Sequence, residues 1–228
     1  MNIFDIIGPV MVGPSSSHTA GAVKIGCAAR KLLGEPVKNA EIYLYGSFLA
    51  TGSGHGTQFA LVAGLLGMKP DDARIPKSFD YAKKAGMTFS FSQAKLRRAH
   101  PNSVQLKLTG VSGKKLDFVG ESVGGSLINI SSIGPLKVNF SGEKPTFIIR
   151  HKDKPGFISS VTGLLAENDF NIATMNLYRR SRGGEAVMIV ECDQEIPDII
   201  ADELKNLFGA ENITFYSLKD DFDEEGEK

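Results

Sequence analysis

The chain has 228 residues, of which 42% are hydrophobic, and its 26 basic residues are balanced by 26 acidic ones. This composition excludes an intrinsically disordered chain, and the neutral total charge gives no reason to expect binding to nucleic acid or membranes. Two cysteines, Cys27 and Cys192, are too few for a disulfide scaffold or a four-cysteine metal site, and both are expected in the core.

The N-terminal residues and the lengths of the apolar runs indicate where in the cell the chain is expected. The first ten residues lack the basic segment of a signal peptide, and no apolar run reaches the length of a membrane helix. A cytoplasmic protein is therefore expected.

The first part of the chain predicts an α+β domain, with helices early and an antiparallel sheet late. The predicted elements are helices at Thr19–Leu33, Gly56–Leu66 and Asp80–Ala85, and strands at Glu41–Tyr45, Thr88–Phe91, Val104–Leu108, Leu116–Val119 and Leu127–Ile130.

A domain boundary is predicted at the polar stretch Ser141–Pro145. Residues 1–145 carry 17 basic and 9 acidic side chains, whereas residues 146–228 carry 9 and 17. The change of charge sign and the closing proline favour one domain over 1–141 and a second over 146–219. The remaining tail, 220–228, has six acidic residues and is expected to be solvated and disordered.

The sequence of the second domain predicts the element order βαββαβ, which is that of a ferredoxin-like sandwich. Turns are expected at Asp153–Gly156 and Ser181–Gly184. The predicted strands are Thr146–Arg150, Asn171–Arg179, Ala186–Cys192 and Ile213–Leu218, and the predicted helices are Phe157–Asn168 and Pro197–Phe208.

Two loops, each directly before a predicted helix, could carry chemistry. Residues 13–21 hold Ser15, Ser16, Ser17, His18 and Thr19, and residues 51–57 hold Gly54, His55, Gly56 and Thr57. Hydroxyls and free amides at a helix start suit a carboxylate or phosphate, and a histidine can act as a base near neutral pH. Either loop alone is equally well an N-cap turn with an exposed histidine. If the loops are adjacent, they form half a site for a small anion.

Other patterns point to less specific roles. No aspartate partner for His18 is evident, so a hydrolytic triad has weak support. Lys83, Lys84, Lys95, Arg97, Arg98 and His100 form a basic cluster that is typical of a solvated surface, and nucleic-acid binding is the alternative. His151 is expected to line a ligand groove or to lie on the surface.

Specific motifs resemble a known family. Residues 4–9 (FDIIGP), the run GPSSSHTAGA and the loop GSGHGT resemble the beta subunit of bacterial iron–sulfur-dependent L-serine dehydratases, and Glu121–Gly125 resembles the family's glycine-rich strand end. The second domain, with Asp153-Lys-Pro-Gly156, resembles an ACT domain, a small ligand-binding module.

The resemblance implies a reaction and a partner. The reaction would convert L-serine to pyruvate and ammonia, feeding gluconeogenesis, and a separate alpha subunit would hold the 4Fe-4S cluster, which this chain's two cysteines cannot. The first domain would share its fold with a substrate-binding domain of some 3-phosphoglycerate dehydrogenases.

The resemblance also implies roles for the two loops. His55 would be the base or a direct substrate contact, while His18 and residues 15–19 would bind the carboxylate or complete the subunit contact. Gly54, Gly56 and Thr57 would line the same site. Ser53 and Gln58 stand where the family often has Lys and Asp, which weakens the case for a charged substrate contact there.

The ACT resemblance implies ligand binding between two copies of the chain and hence a homodimeric contact. The expected ligand residues are Asp153, Pro155, Gly156, Asn171 and Asn176, and activation by potassium is also compatible with the resemblance. A stand-alone amino-acid sensor, without catalysis, is the competing function. The pair of histidine loops favours the enzyme subunit, because a sensor needs no base beside its anion site.

Overall fold

The computed structural model describes residues 10–141, 144–195, 197, 200, 204 and 210–216. The chain divides into two compact units, the first made of residues 1–135 and 139–141 and the second of 136–138 and 142–228. The sequence-based domain limits stay a prediction. The 4–9 motif, most of the predicted helix Pro197–Phe208 and the acidic tail lie outside the described residues.

Residues 10–140 contain the predicted helices and strands with shifted ends, together with three elements outside the predicted ranges: α2, β6 and a 3-10 turn. In chain order the elements are a π-helical turn Ser16–Ala20, α1 Gly21–Leu33, β1 Val37–Leu44, α2 Gly46–Ala50, α3 Thr57–Leu65, the 3-10 turn Ile75–Lys77, α4 Ser78–Lys84, β2 Thr88–Gln93, β3 Ser103–Gly110, β4 Lys115–Gly124, β5 Leu127–Ile133 and β6 Leu136–Phe140. The first three residues of β6 belong to unit 2.

These strands form one sheet in the order β2-β1-β3-β4-β5-β6. β1–β3, β3–β4 and β4–β5 pair antiparallel, as expected, but β1 and β2 are parallel. The parallel pair follows from the helices between these strands, which carry the chain back before β2 begins. The α+β class is confirmed, with this one parallel pair added.

The helices α1 and α3 pack together unusually closely. A Cβ on Gly26 would clash with the backbone at Leu61 and Gly64, and a Cβ on Gly64 would clash with the carbonyl of Val23. Only glycine allows this approach of two backbones. Arg30, near the end of α1, donates to the carbonyl of Leu65, the last residue of α3. The ends of the two helices therefore lie together, and the helices run in the same direction.

Unit 2 confirms the expected ACT-like fold. Its elements are β7 Thr146–Lys152, α5 Phe157–Glu167, β8 Ile172–Arg179, β9 Glu185–Cys192 and β10 Ala210–Tyr216, in one sheet of order β10-β7-β9-β8. Buried side chains of α5, β7 and β9, with Ile200 and Leu204, form its core. Because β8 is the last strand in this order, it forms an edge of the sheet. Its residues Met175 and Leu177 are exposed.

His151 belongs to the interior of unit 2. It is 1% exposed, its ring stacks on Phe157 with 3.9 Å between centroids, and its Nδ1–H donates to Lys152 O at 2.7 Å. The expectation of a surface histidine is wrong, because the stacked aromatic ring covers the imidazole.

No helix among the described residues combines the length and apolar character needed to cross a membrane.

Candidate functional site

The two polar loops lie side by side. The hydroxyl of Thr19 donates to the carbonyl of His55 at 3.1 Å, and the ring centroids of His18 and His55 are 5.0 Å apart. This contact follows from the parallel packing of α1 and α3, since each loop directly precedes one of these helices. The fold therefore brings together His18 and His55, which are 37 positions apart in the chain.

The first loop enters its helix through a π-helical turn, a feature that is frequent at functional sites. The Ser15 hydroxyl accepts from His18 N at 3.2 Å, and Ser15 O accepts from Thr19 N at 2.8 Å. Gly13 has φ +141°, and a Cβ there would clash with the Thr19 side chain. The local sequence thus fixes a tight cap with the three serines half-buried.

The glycine-rich end of β4 supports this loop from below. The Ser126 hydroxyl donates to Ser16 O at 3.4 Å, and Gly21 packs so closely on Ser122 that a Cβ would clash with its hydroxyl oxygen. Ser122 is fully buried, and its hydroxyl has no hydrogen-bond partner. The segment after Glu121 therefore supports residues Ser15–Ser17, which are called the serine loop below.

The side-by-side helix starts have an electrostatic consequence. The helical segment that begins with the π-helical turn and continues as α1 has a partial positive charge at its N-terminus, and so has α3. Because α1 and α3 are parallel and begin next to one another, both partial charges face the same loops. The arrangement favours a small anion, such as a carboxylate, near Ser15–Ser17.

His18 is the buried member of the histidine pair. Its Nε2 lies 3.0 Å from Ser47 Oγ and 3.2 Å from Thr51 Oγ1, and its Nδ1 lies 3.2 Å from Ser17 Oγ. The Phe48 ring meets it edge-on, with centroids 5.3 Å apart. Both ring nitrogens are therefore engaged, and the ring is held rather than free.

The environment of His18 also changes its acidity. Burial, and then electrostatic repulsion from His55, lower the pKa of His18 below its ordinary 6.5, and a backbone hydrogen bond at Ser47 opposes this only in part. The surroundings therefore favour the neutral form of the His18 imidazole.

His55 has one engaged nitrogen and one open one. Its Nδ1 lies 3.2 Å from Thr51 O, and because a carbonyl only accepts, Nδ1 must carry the hydrogen. The neutral tautomer then leaves the Nε2 lone pair without a partner among the described residues. The side chain is half-buried, so this lone pair can meet a substrate.

The other predicted residues of the second loop have structural positions. Thr57 is fully buried, its amide donates to Gly52 O at 2.9 Å, and its hydroxyl has no partner. Gly56 has φ +70° and Gly54 is exposed. Thr19 is also buried, so Thr19 and Thr57 anchor the two loops to the interior of unit 1. Gly54 and Gly56 lie on the solvent-accessible side of the second loop, which is called its open side below.

Sequence reasoning missed the residues that hold His18. Ser47 and Phe48 lie on α2, a helix of five residues, and Thr51 follows it directly. A helix this short has too few positions for a periodic pattern, which is why it was not predicted. The available signal was the glycine at Gly46, directly after a predicted strand.

A prediction concerns the pKa of His18. In the folded chain this histidine takes up its proton at lower pH than in the unfolded chain, so the neutral ring stabilises the fold above pH 6.5, and that contribution is lost as pH falls below 6.5. We expect an NMR titration midpoint below 6.5 for His18, and a higher midpoint in His55→Asn, which removes the repelling charge. His18→Gln assigns the resonance. A midpoint at or above 6.5 would contradict the described environment.

The ACT-like unit has a cavity of about 650 Å³ next to the turn after β7. Asp153 Oδ2 accepts from Arg179 Nη1 at 2.6 Å and from Gly183 N at 2.9 Å, and these bonds to Gly183 and Arg179 lower the pKa of its carboxyl. The residues that line the cavity include Asp153, Pro155, Gly156, Ile158, Leu177, Arg179 and Arg182.

Two predicted ACT residues lie elsewhere in a single copy. Asn171 precedes β8 at the end opposite Arg179, where its side chain donates to Asp193 Oδ2 at 2.5 Å. Asn176 lies in mid-strand, opposite Ile189 of β9. Within one copy, neither residue joins the cavity.

The described residues do not fit a 4Fe-4S cluster. Cys27 is buried in unit 1 with its thiol donating to Met68 O, and Cys192 is buried in the core of unit 2. Within the described part of the chain, no group of three or more His, Cys, Asp or Glu side chains could hold a metal ion.

Comparison with known proteins gives consistent matches. The family model "Serine dehydratase beta chain" matches residues 2–88, and the model "ACT domain" matches residues 146–209. The chain is 39% identical over 206 residues to "Probable L-serine dehydratase, beta chain" of Bacillus subtilis, covering 90% of this chain and 93% of that protein. It is 37% identical over 212 residues to "L-serine dehydratase, beta chain" of Peptoniphilus asaccharolyticus, covering 92% and 94%.

A third relative has a different name. D-3-phosphoglycerate dehydrogenase of Bacillus subtilis is 29% identical over 193 residues, which cover 82% of this chain and 35% of that protein.

Proposed function

Since the chain belongs to the family of L-serine dehydratase beta chains, we propose that it is the beta subunit of a two-chain lyase that converts L-serine to pyruvate and ammonia. The partner is an alpha subunit, and the site is shared between the two chains.

The observation that carries the proposal is the geometry of the two histidines. His55 presents an open Nε2 lone pair beside the buried ring of His18, and the starts of two parallel helices border the same space. A base next to an anion site is what the removal of a proton adjacent to a carboxylate requires. A ligand sensor needs only the anion site.

The serine loop binds the substrate carboxylate. Ser15 caps the π-helical turn that leads into α1, Ser16 and Ser17 are the first residues of that turn, and the three side chains remain half-buried. Held there, the substrate can direct its α-carbon toward the open side of the second loop, bordered by Gly54 and Gly56.

His55 accepts the proton from the α-carbon. Its Nε2 takes that proton while the C–H electron pair forms the new double bond, and the β-hydroxyl leaves with its bonding pair. The resulting 2-aminoacrylate isomerises to the imine and is hydrolysed to pyruvate and ammonia. The Thr51 carbonyl keeps the required tautomer by accepting from Nδ1–H, and His18 with Thr19 fixes the position of the loop.

An iron–sulfur cluster, in this proposal, belongs to the alpha subunit. The described cysteines lie singly in the cores of separate units and supply no ligand set. A cytoplasmic location is part of the proposal, since neither Cys27 nor Cys192 forms a disulfide.

The test of this function is anaerobic co-purification. We expect the tagged chain to retain an alpha subunit that carries iron and sulfide, and the eluate to form pyruvate from L-serine. The chain alone should form none. A partner-free, iron-free chain that binds an amino acid would instead support the stand-alone sensor.

The ACT-like unit is proposed to bind a small regulatory ligand between two copies. β8 is an edge strand with exposed Met175 and Leu177, and such edges can pair with a second copy. Antiparallel pairing of two β8 strands brings the Asn171 end of one copy next to the Arg179 end of the other. The residues predicted from the sequence, Asp153 to Gly156 with Asn171, then meet at one site. Potassium is a second candidate ligand of the assembled enzyme.

A variant of Met175 tests the dimer. Met175→Glu places like charges near each other across paired β8 edges, so we expect the dissociation constant of the dimer to rise at least tenfold in sedimentation equilibrium. Val111→Glu is the control, because Val111 is an exposed apolar residue of unit 1 rather than unit 2. It should leave the dissociation constant of the dimer unchanged. An unchanged dimer in Met175→Glu would exclude pairing through this edge.

A further inference from the structure

The loop between β2 and β3 carries positive charge that the mechanism above does not use. Residues 94–102 contain Lys95, Arg97 and Arg98 and no acidic residue. All three cationic side chains are exposed, and none forms an ion pair with any described residue. Such a set of unpaired charges within nine residues is a basic patch, and these three residues are called the basic loop below.

The structure separates the basic loop from the other lysines with which the sequence grouped it. Lys83 and Lys84 end α4 and precede the first residue of β2, whereas Lys95 follows its last residue. Six strand residues lie between, roughly 20 Å of extended chain. The expected six-residue basic cluster is therefore wrong, and two separate basic patches exist at opposite ends of β2.

The basic loop lies at the same end of the sheet as the histidine pair. Ser47 N donates to Pro101 O at 2.7 Å, and Tyr45 N donates to Ser103 O at 3.1 Å. Gly46, with φ +55°, packs so closely on Pro101 that a Cβ would clash with its backbone. The loop is thus tied directly to α2, the helix whose Ser47 contacts His18.

The backbone of the loop is also strained. Arg98 has φ +56°, a left-handed conformation that residues other than glycine adopt infrequently. Strain of this kind persists where the surrounding structure fixes it, and it is concentrated at ligand and switch sites. Here it lies at the last of the three exposed cationic residues.

The substrate does not account for these charges. L-serine is a zwitterion with no net charge, and its carboxylate is already provided for by the serine loop. A neighbouring protein does account for them, because the half-buried His55 lies in a site that the proposed function shares with the alpha subunit. A partner that covers the histidines must also pass over the loop tied to α2.

We propose that the basic loop is a docking surface for an acidic face of the alpha subunit, an inference that rests on the proposed two-chain function. Lys95, Arg97 and Arg98 attract that face and set its orientation, and the tie between Pro101 and Ser47 places the docked subunit next to His18. Charges of this kind act mainly on the association rate and are weakened by salt.

Charge reversal tests the proposal. The triple variant Lys95→Glu, Arg97→Glu, Arg98→Glu is compared with Lys77→Glu, Lys83→Glu, Lys84→Glu, which makes the same change of charge in the segment that precedes β2. Binding of each purified chain to the alpha subunit is measured anaerobically at 50 mM and 500 mM NaCl, and thermal unfolding checks that both variants are folded.

At 50 mM NaCl, we expect the dissociation constant of the first variant for the alpha subunit to be at least tenfold higher than that of wild type. At 500 mM NaCl, it should be within threefold of the wild-type value. The second variant should match wild type at both salt concentrations. If wild type binds the alpha subunit and both variants bind equally well, the docking proposal is overturned and the proposed function stands. If wild type binds no alpha subunit, both fail. Salt-sensitive binding of a 20-nucleotide single strand that only the first variant loses, with unchanged alpha-subunit binding, would assign the loop to nucleic acid instead.

Discussion

Replacing His55 with alanine is expected to lower the kcat of the assembled enzyme by 10²- to 10⁴-fold, the usual contribution of a positioned general base. The reason is that Nε2 of His55 is the open lone pair at the start of the two helices, whereas both nitrogens of His18 are engaged. KM for L-serine should change little, because the carboxylate is bound by the serine loop. The measurement is pyruvate formation by enzyme preparations matched for iron content.

Two further variants separate loss of the base from loss of the loop. Ser53→Ala alters an exposed hydroxyl in the same loop and should retain wild-type turnover. Added imidazole should partly restore activity to His55→Ala, since the vacated space adjoins the open side of the site. Turnover of His55→Ala within threefold of wild type would remove His55 from the role of base.

Replacing Gly64 with alanine is expected to lower the free energy of unfolding of unit 1 by about 2–3 kcal/mol, as overpacking of a tight contact does. The added Cβ would clash with the Val23 carbonyl, which belongs to helix backbone and cannot rotate away. The helices α1 and α3 must then separate. Because the histidine loops are carried at the starts of these helices, kcat should fall together with stability.

Gly163 provides the matched control for this variant. It lies within α5, and a Cβ there would meet no atom within 4 Å. Gly163→Ala should therefore leave stability unchanged or raise it by about 0.5–1 kcal/mol, since alanine is the better helix former. Hydrogen exchange of amides in α1 and α5 reports on each unit separately. Equal exchange protection of α1 in Gly64→Ala and wild type would show that the close approach is not required.

Much of the fold could be predicted because its signals are local. The periodic apolar residues of Phe157–Glu167 and the turn residues Asp153–Gly156 specify their structures within a few positions of sequence. The polar loops before α1 and α3 could be recognised as candidate sites for the same reason. Their unusual content of serine, histidine and glycine is visible without knowledge of any contact.

The parts that could not be predicted depend on distant contacts. The five-residue α2 has no periodic pattern, yet it supplies Ser47 and Phe48 to His18. The parallel pairing of β1 with β2 requires knowledge of how α3 and α4 return the chain. The basic residues near β2 looked like one cluster in sequence, and only the extended strand between Lys84 and Lys95 separates them.

The α+β class, the ACT-like order of elements and the two loops that could carry chemistry can be recognised from the sequence, because each depends on neighbouring residues. The different hydrogen bonding of the two histidines depends on contacts between distant residues and is visible in the folded chain alone. Ser17, Ser47 and Thr51 engage both nitrogens of His18, while a single carbonyl holds Nδ1 of His55 and leaves Nε2 open. The glycines Gly26 and Gly64 make this arrangement possible, since without a Cβ two parallel helices can approach until their starts share one site.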